Sequence, residues 1–282
     1  MNQSPEIKLA ESSETGNTGI YHLKRLWSKA MLGNKIINRL EHEQELDNAI
    51  INILGLGLLP TYRFLYEQKP SFEAFEQWVT DMAGGTVEAE KAAQCNGLFT
   101  PDTHADEAVE EEVLSAADIA FWNKNGYIVL KNAITKEDCV AACRAIYNHL
   151  QMDENNSESW YNNSHAVEGI MVPLYRNPAI DKNRNSPKIR RAFEQLWGQK
   201  GLIVTTDKCG FNPPQTNSFT YRGTGLHWDV SIATPIPFGT QGILYLTDTA
   251  ANQGALTVIP SFHETLETWL TNLPKHINPR ET

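Results

Sequence analysis

The change in local pattern near Gly201 is the sequence feature that most constrains the fold. Residues 19–100 place apolar side chains at helical spacing, whereas after Gly201 short apolar segments are separated by Pro, Gly, Asn and Thr. Short strands with turn residues at this spacing are typical of a sandwich or jelly roll. Helices followed by strands predict an α+β chain.

The pattern predicts one strand near residue 127 and five strands after residue 200. They are Tyr127–Leu130, Leu202–Thr206, Ser218–Tyr221, Leu226–Ser231, Gly242–Leu246 and Leu256–Ile259. A closed eight-stranded jelly roll needs more strands, so a jelly roll built from these segments alone would be incomplete at the C-terminus. An open sheet exposes unpaired N–H and C=O groups, which predicts self-association through its uncovered edge.

Composition and helix-start signals divide the chain into four regions. We expect a disordered polar tail over 1–18, a helical region over 19–100, an acidic linker over 101–112 and a partial jelly-roll domain over 113–282. Helix starts are predicted where a side chain can accept a hydrogen bond from the backbone N–H three residues later. The candidates are Ser71, Ser115 with Asp118, and Thr135 with Asp138, and Gly126 is a predicted helix end.

Charge and composition exclude several classes of partner. The chain has 282 residues, a formal net charge of −10 and a pI near 5.3, so nothing in its overall charge favours nucleic acid or an anionic membrane. No apolar run approaches the roughly 20 residues of a membrane span, and no signal peptide is evident. Four cysteines make no disulfide framework in a chain of this length, which favours a reducing cytoplasmic location.

His227-Trp228-Asp229 is the motif that carries the strongest chemical signal. On a strand, side chains two residues apart point to the same face, so His227 and Asp229 could reach one metal ion. A His and a carboxylate are two members of the facial triad that holds Fe(II) in non-haem oxygenases. A chain of this composition is expected to contain about 0.3 His-x-Asp matches by chance, so the surrounding segments decide whether the motif is functional.

Four segments in a fixed order resemble the phytanoyl-CoA dioxygenase family, in its broad bacterial sense. They are Asn125–Leu130, His227–Asp229, Gly242–Thr249 and Asn252–His263, and the resemblance extends over about residues 115 to 270. It implies a cupin-like double-stranded β-helix, or jelly roll, that holds Fe(II) and uses 2-oxoglutarate as cosubstrate. It also implies that His227 and Asp229 are iron ligands and that Tyr245 contacts the cosubstrate.

The chain departs from the family pattern after residue 263. The family places a distal His, followed by an Arg that binds the 2-oxoglutarate carboxylate, two strands further on, and this motif is absent. His263 is a candidate substitute for the third ligand, with a capping or hydrogen-bonding role as its alternative, and Arg280 is a candidate substitute for the carboxylate clamp, with a solvated position as its alternative. We otherwise expect the distal motif to lie beyond Thr282, so that the chain as given is catalytically impaired.

The leading hypothesis is an Fe(II)- and 2-oxoglutarate-dependent dioxygenase that hydroxylates a small-to-medium metabolite. Two alternatives use the same fold. One is a jelly-roll binding or scaffold protein without a metal site. The other is a cupin-like metal enzyme that does not use 2-oxoglutarate.

Overall fold

The structure is a computed structural model that describes residues 7–33, 40–100, 112–162, 169–221, 223, 225–230, 232 and 234–281. The chain divides into two compact units. Unit 1 comprises Met1–Asp106, Leu174–Arg176 and Ile203–Lys208. Unit 2 comprises Glu107–Pro173, Asn177–Leu202 and Cys209–Thr282. The acidic linker predicted over 101–112 falls almost wholly outside the described residues, which include only its last position.

Unit 1 is helical and contains the main apolar core. Its helices are α1 (Leu23–Leu32), α2 (Glu43–Ile53), α3 (Leu58–Arg63, continued by a π-helical turn over Phe64–Gln68), α4 (Phe72–Met82) and α5 (Ala89–Gly97). Burial of apolar surface drives their packing. The fully buried side chains at its centre include Ile20, Leu23, Leu26, Ile50, Leu54, Leu65, Phe75 and Val79.

A network of buried charged and polar side chains connects α1 to α2. The Nε of Arg25 donates to Glu43 at 2.5 Å, and His22 Nε2 lies 3.1 Å from Asp47 Oδ1. Lys29 Nζ pairs with the other carboxylate oxygen of Asp47. Because these groups are removed from water, each carboxylate depends on its partners to offset the cost of burial. We call these five residues the buried ion network.

The segment before α1 differs from the expected disordered tail. The backbone N–H of Ala10 donates to Ser28 Oγ at 3.0 Å, and Arg25 Nη1 donates to the Ala10 carbonyl at 3.0 Å. Ser12 accepts the backbone N–H of His22 at 2.7 Å through its carbonyl. These bonds hold residues 10–12 against the start of α1. Buried polar groups need hydrogen-bond partners, and Arg25 and Ser28 of the helix find theirs in this segment. Residues 1–6 of the predicted tail lie outside the described residues.

Unit 2 combines five helices with a two-stranded sheet in the described residues. The helices are α6 (Ala116–Asn125), α7 (Lys136–His149), α8 (Pro178–Arg184), α9 (Pro187–Trp197) and α10 (Leu266–Asn272). Short 3₁₀ turns cover Ser157–Tyr161, Phe262–Glu264 and Pro279–Glu281. Strand β1 (Met171–Val172) pairs antiparallel with β2 (Cys209–Gly210), with Met171 opposite Gly210.

The predicted helix starts agree with the structure. Ser71 caps α4, and Ser115 with Asp118 forms a complete capping box on α6. Thr135 accepts the Asp138 N–H at the start of α7, and its hydroxyl bonds the Asp138 carboxylate at 2.9 Å. Gly126 ends α6 at φ 76°, a left-handed conformation that suits glycine.

None of the six predicted strands is a strand in the described residues, which exclude Ser231. Four of them keep an exposed apolar side chain, namely Val129 by 70%, Leu226 by 66%, Ile243 by 54% and Leu256 by 58%, whereas Ile203 packs in part against the apolar core of unit 1. A strand is stabilised by a partner that pairs its backbone and covers one face, and the described residues supply none for these segments. The jelly roll is therefore not confirmed, and the chain is helix-rich.

Among the described helices, no single one is long and apolar enough to cross a membrane. By length and composition only, one pair bent by 108°, Glu43–Ile53 with Leu58–Gln68, meets the requirement.

Candidate metal-binding site

His227 and Asp229 approach each other in unit 2 although their segment is not a strand. His227 Nε2 lies 2.9 Å from Asp229 Oδ1, and both side chains are about half exposed, at 55% and 48%. The segment from Leu226 to Val230 consists of bends and irregular backbone. The pair therefore converges through local turns and not through the two-residue repeat of a strand.

The hydrogen bond on the other nitrogen of His227 defines its tautomer. Nδ1 lies 2.9 Å from the carbonyl oxygen of Gly225, and a carbonyl can only accept, so Nδ1 carries the proton. If the imidazole is neutral, Nε2 then presents a lone pair to Asp229 Oδ1. Two acceptors 2.9 Å apart repel each other unless a positive charge lies on or between them. That charge is either a proton, which makes His227 an imidazolium, or a metal cation.

The electrostatics of His227 follow from this arrangement. The Gly225 carbonyl, and then the negative charge of Asp229, raise the pKa of the His227 imidazole above its usual value. In the absence of metal the pair is thus a hydrogen-bonded ion pair over a wider pH range than an ordinary histidine would allow.

The same two atoms fit adjacent positions on a divalent cation. Two ligands at right angles on an octahedral ion lie about 3.0 Å apart when each bond is about 2.1 Å. The 2.9 Å between His227 Nε2 and Asp229 Oδ1 matches this spacing. A ligating histidine commonly donates its other N–H to a carbonyl, as His227 does to Gly225. The pair therefore fits as two protein ligands of such an ion.

Gln241 and Arg280 hold Asp229 and its backbone in place, and of these two only Arg280 was singled out from the sequence. The Nε2 of Gln241 donates to Asp229 Oδ2 at 2.7 Å. Arg280 donates from Nη1 to the Trp228 carbonyl at 3.0 Å and from Nη2 to the Val230 carbonyl at 2.6 Å. Arg280 was considered as a carboxylate clamp, but in the structure it bonds the backbone on either side of Asp229. Neither contact has a signal in the sequence because the residues involved lie 12 to 52 positions apart.

His263 contacts the end of α6 in the described structure. Its Nε2 lies 3.0 Å from the Asn123 carbonyl, while Ser261 bonds the Lys124 carbonyl through Oγ at 2.7 Å and the Asn125 carbonyl through its backbone N–H at 3.0 Å. A Cβ on Gly126 would lie 2.6 Å from His263 Nδ1. His263 and Ser261 thus donate hydrogen bonds to the last carbonyls of α6, which have no partner within the helix. This contact is the hydrogen-bonding role given above as the alternative for His263.

Tyr245 makes a local contact in the structure. Its hydroxyl accepts the backbone N–H of Leu256 at 2.8 Å, and its side chain is 45% exposed. Its contact with the cosubstrate stays a prediction. Within the described residues, no group of three or more His, Cys, Asp or Glu side chains could hold a metal ion, so a third ligand for His227 and Asp229 also stays a prediction.

A His and a carboxylate are two of the ligand types found in mononuclear non-haem metal sites. Comparison with known proteins gives the family. The model of the family described as Phytanoyl-CoA dioxygenase (PhyH) matches residues 122–281, more than half of the chain. The chain belongs to this family, whose members are in general Fe(II)- and 2-oxoglutarate-dependent dioxygenases of the cupin or jelly-roll fold.

One curated relative supports the same family. It is a Dictyostelium discoideum protein described as "Putative phytanoyl-CoA dioxygenase", 26% identical over 125 residues. The match covers 39% of this chain and 36% of the relative, so the chain spans about a third of the length of the curated relative it matches. No solved structure gives a significant match.

Proposed function

We propose that the protein is an Fe(II)- and 2-oxoglutarate-dependent dioxygenase with His227 and Asp229 as two of its iron ligands. The reaction would convert a substrate C–H bond, O₂ and 2-oxoglutarate into a C–OH group, succinate and CO₂. The observation that carries the proposal is the 2.9 Å approach of His227 Nε2 to Asp229 Oδ1 in a member of this family.

The residues of the chain prepare this pair for a cation. The Gly225 carbonyl holds the Nδ1 proton of His227, which leaves Nε2 as the donor for metal. Gln241 bonds Oδ2 of Asp229, which leaves Oδ1 beside Nε2. When bound, iron supplies the redox chemistry that activates O₂, and it accepts ligands through positions that the protein leaves open.

The half-exposed position of the pair bears on the substrate. Because His227 and Asp229 are 55% and 48% exposed, small oxygen-donor molecules can reach the pair from solvent. We therefore propose a small-to-medium metabolite as substrate. The net charge of −10 disfavours a long polyanion.

Metal binding by the full chain is the first test. Mn(II) is titrated into the protein under anaerobic conditions, and bound ion is measured by electron paramagnetic resonance. We expect one site per chain, lost in His227→Ala and in Asp229→Ala. His276→Ala is the matched control, because it removes an exposed histidine of unit 2 and should leave binding unchanged.

Turnover is the second test. With Fe(II), O₂ and 2-oxoglutarate, succinate is measured with and without candidate metabolites, and we expect formation that depends on His227 and Asp229. Robust turnover that His263→Ala abolishes would make His263 the third ligand. Metal binding without any effect of 2-oxoglutarate would instead favour a cupin-like enzyme of another reaction class. Absence of metal binding would favour a binding or scaffold protein and overturn the proposal.

A further inference from the structure

We propose that Gln241 and Arg280 are positioning residues that set the metal affinity of the site by holding Asp229 from two sides, an arrangement we call the Asp229 clamp. The inference rests on the proposed metal-binding function of His227 and Asp229. Neither residue belongs to the candidate ligand set, and each acts through Asp229.

Gln241 makes the two carboxylate oxygens of Asp229 inequivalent. Its amide Nε2 donates to Oδ2 at 2.7 Å, and Oδ1 lies 2.9 Å from His227 Nε2. The bond restricts rotation of the carboxylate and favours binding of a cation through Oδ1 alone. Because the donor is a neutral amide, it orients the carboxylate without cancelling the charge that attracts a cation.

Gln241 is itself held by the packing of its segment on α9. Trp197 Nε1 donates to Thr240 Oγ1 at 2.7 Å, and the Trp197 and Phe238 rings meet edge to face at 4.9 Å. A Cβ on Gly242 would lie 3.3 Å from the ring of Phe193. The residues on both sides of Gln241 are therefore fixed to a helix, which keeps the amide within reach of Asp229.

Arg280 fixes the backbone on which Asp229 is carried. Its two terminal nitrogens donate to the carbonyls of Trp228 and Val230, at 3.0 and 2.6 Å. A guanidinium presents its donors in a rigid planar fork, so one side chain sets the separation of both carbonyls. A lysine would carry the same charge on a single ammonium group, which cannot hold both carbonyls in this fixed geometry.

An aromatic cluster supports the same backbone segment. The Trp228 ring lies 5.7 Å from Phe262 and 6.0 Å from Trp269, measured between ring centroids. Phe262 and Trp269 belong to the segment that leads to Arg280. The residue between the two candidate ligands is thus packed against the segment that supplies the clamp, and aromatic pairs of this kind add specific geometry to apolar burial.

Removal of a partner that orients a ligand typically weakens metal binding by about 10- to 100-fold. The experiment uses the full chain with Co(II), whose visible absorption reports both occupancy and coordination geometry. We expect Gln241→Leu to raise the Kd for Co(II) at least about tenfold and to change the shape of the absorption band. Arg280→Ala should do the same, and Arg280→Lys should recover only part of the affinity.

Matched control variants separate the loss of Asp229 orientation from the general effects of a substitution. Gln77→Leu breaks the same kind of amide-to-carboxylate bond, from Gln77 to Asp81 at 2.9 Å in unit 1, and should change neither Kd nor spectrum. Lys275→Ala removes a cation from the segment that carries Arg280 and should also have no effect. Gln241 is exposed, so Gln241→Leu tests the proposal even if Arg280→Ala reduces folding, which circular dichroism would reveal.

The outcomes distinguish this inference from the function on which it rests. If the unmodified chain binds Co(II) and His227→Ala abolishes binding, the proposed site stands. If Gln241→Leu and Arg280→Lys then keep the Kd within twofold and the spectrum unchanged, the Asp229 clamp is wrong. If the unmodified chain does not bind Co(II), both proposals are overturned.

Discussion

Replacement of Asp47 by Ala removes the carboxylate that His22 and Lys29 share in the buried ion network. Asp47 is 1% exposed and His22 is fully buried, and Lys29 retains 17% exposure. The substitution therefore leaves His22 Nε2 without a partner in the interior, although His22 Nδ1 keeps its contact with Ser12 Oγ at 2.8 Å. Lys29 keeps only Glu43, at 3.7 Å, and can reach water only in part. We expect the free energy of unfolding of unit 1 to fall.

The size of the loss follows from the burial of the partners. Removal of one partner of a buried ion pair costs about 3–5 kcal/mol. Because Lys29 can turn part of its charge toward solvent, we expect the lower end, about 3 kcal/mol. A loss of this size raises the equilibrium constant for opening by more than about a hundredfold.

Hydrogen exchange measured by mass spectrometry is the suitable assay because it resolves individual helices. Peptides from α1 and α2 should exchange more than about a hundredfold faster in Asp47→Ala. Glu45→Ala is the matched control: it removes a carboxylate from the same helix, but one whose side chain is 71% exposed. Its effect should stay within about 0.5 kcal/mol.

The result that would refute this reasoning is specific. If Asp47→Ala accelerates exchange of α1 and α2 no more than Glu45→Ala does, the buried carboxylate does not stabilise the network. Asp47→Asn separates the two contributions, because it keeps a hydrogen-bonding side chain of the same shape and removes only the charge.

Three further predictions concern single groups. Burial, and then the charge of Asp47, raise the pKa of Tyr62 to about 12. Unit 1 should therefore lose stability as the pH rises from about 10 to about 12. The midpoint of urea unfolding should fall across that range in the unmodified chain, but not in Tyr62→Phe. Burial raises the pKa of the Cys95 thiol to about 12, and iodoacetamide at pH 8 should modify Cys95 only after unfolding, as mass spectrometry of the labelled peptides would show. Ser115→Ala removes the capping box of α6 and should cost about 1 kcal/mol, seen as faster exchange confined to the first turn of α6.

Local signals predicted the helix boundaries because a cap depends on residues three positions apart. Ser71 and Ser115 accept the N–H groups that the sequence assigns to them. The strands could not be predicted in this way, since a strand also depends on a partner that is distant in sequence. Segments such as Gly242–Leu246 have the right pattern of residues, yet Ile243 and Tyr245 are exposed and the segment is not a strand in the described structure.

In the candidate site, too, local sequence patterns predicted some features, and contacts between residues distant in sequence could not be predicted. His227 and Asp229 were identified from their spacing, and the structure places their donor atoms 2.9 Å apart. The roles of Gln241 and Arg280 depend on contacts across 12 and about 50 residues, which no local pattern records. For His263 the sequence offered a ligand role and a hydrogen-bonding role, and its contact with Asn123, 140 positions away, could be recognised only in the folded chain.

The contact between the Ser261–His263 segment and α6 has a consequence for synthesis on the ribosome. The bonds from Ser261 to Lys124 and from His263 to Asn123 span 137 and 140 residues. Because a chain is synthesised at about 5–20 residues per second, Ser261 and His263 are added roughly 7 to 28 seconds after the end of α6. Until then the C-terminal carbonyls of α6 lack these partners. During that interval water must satisfy them, and the end of α6 is available to chaperones in the nascent chain.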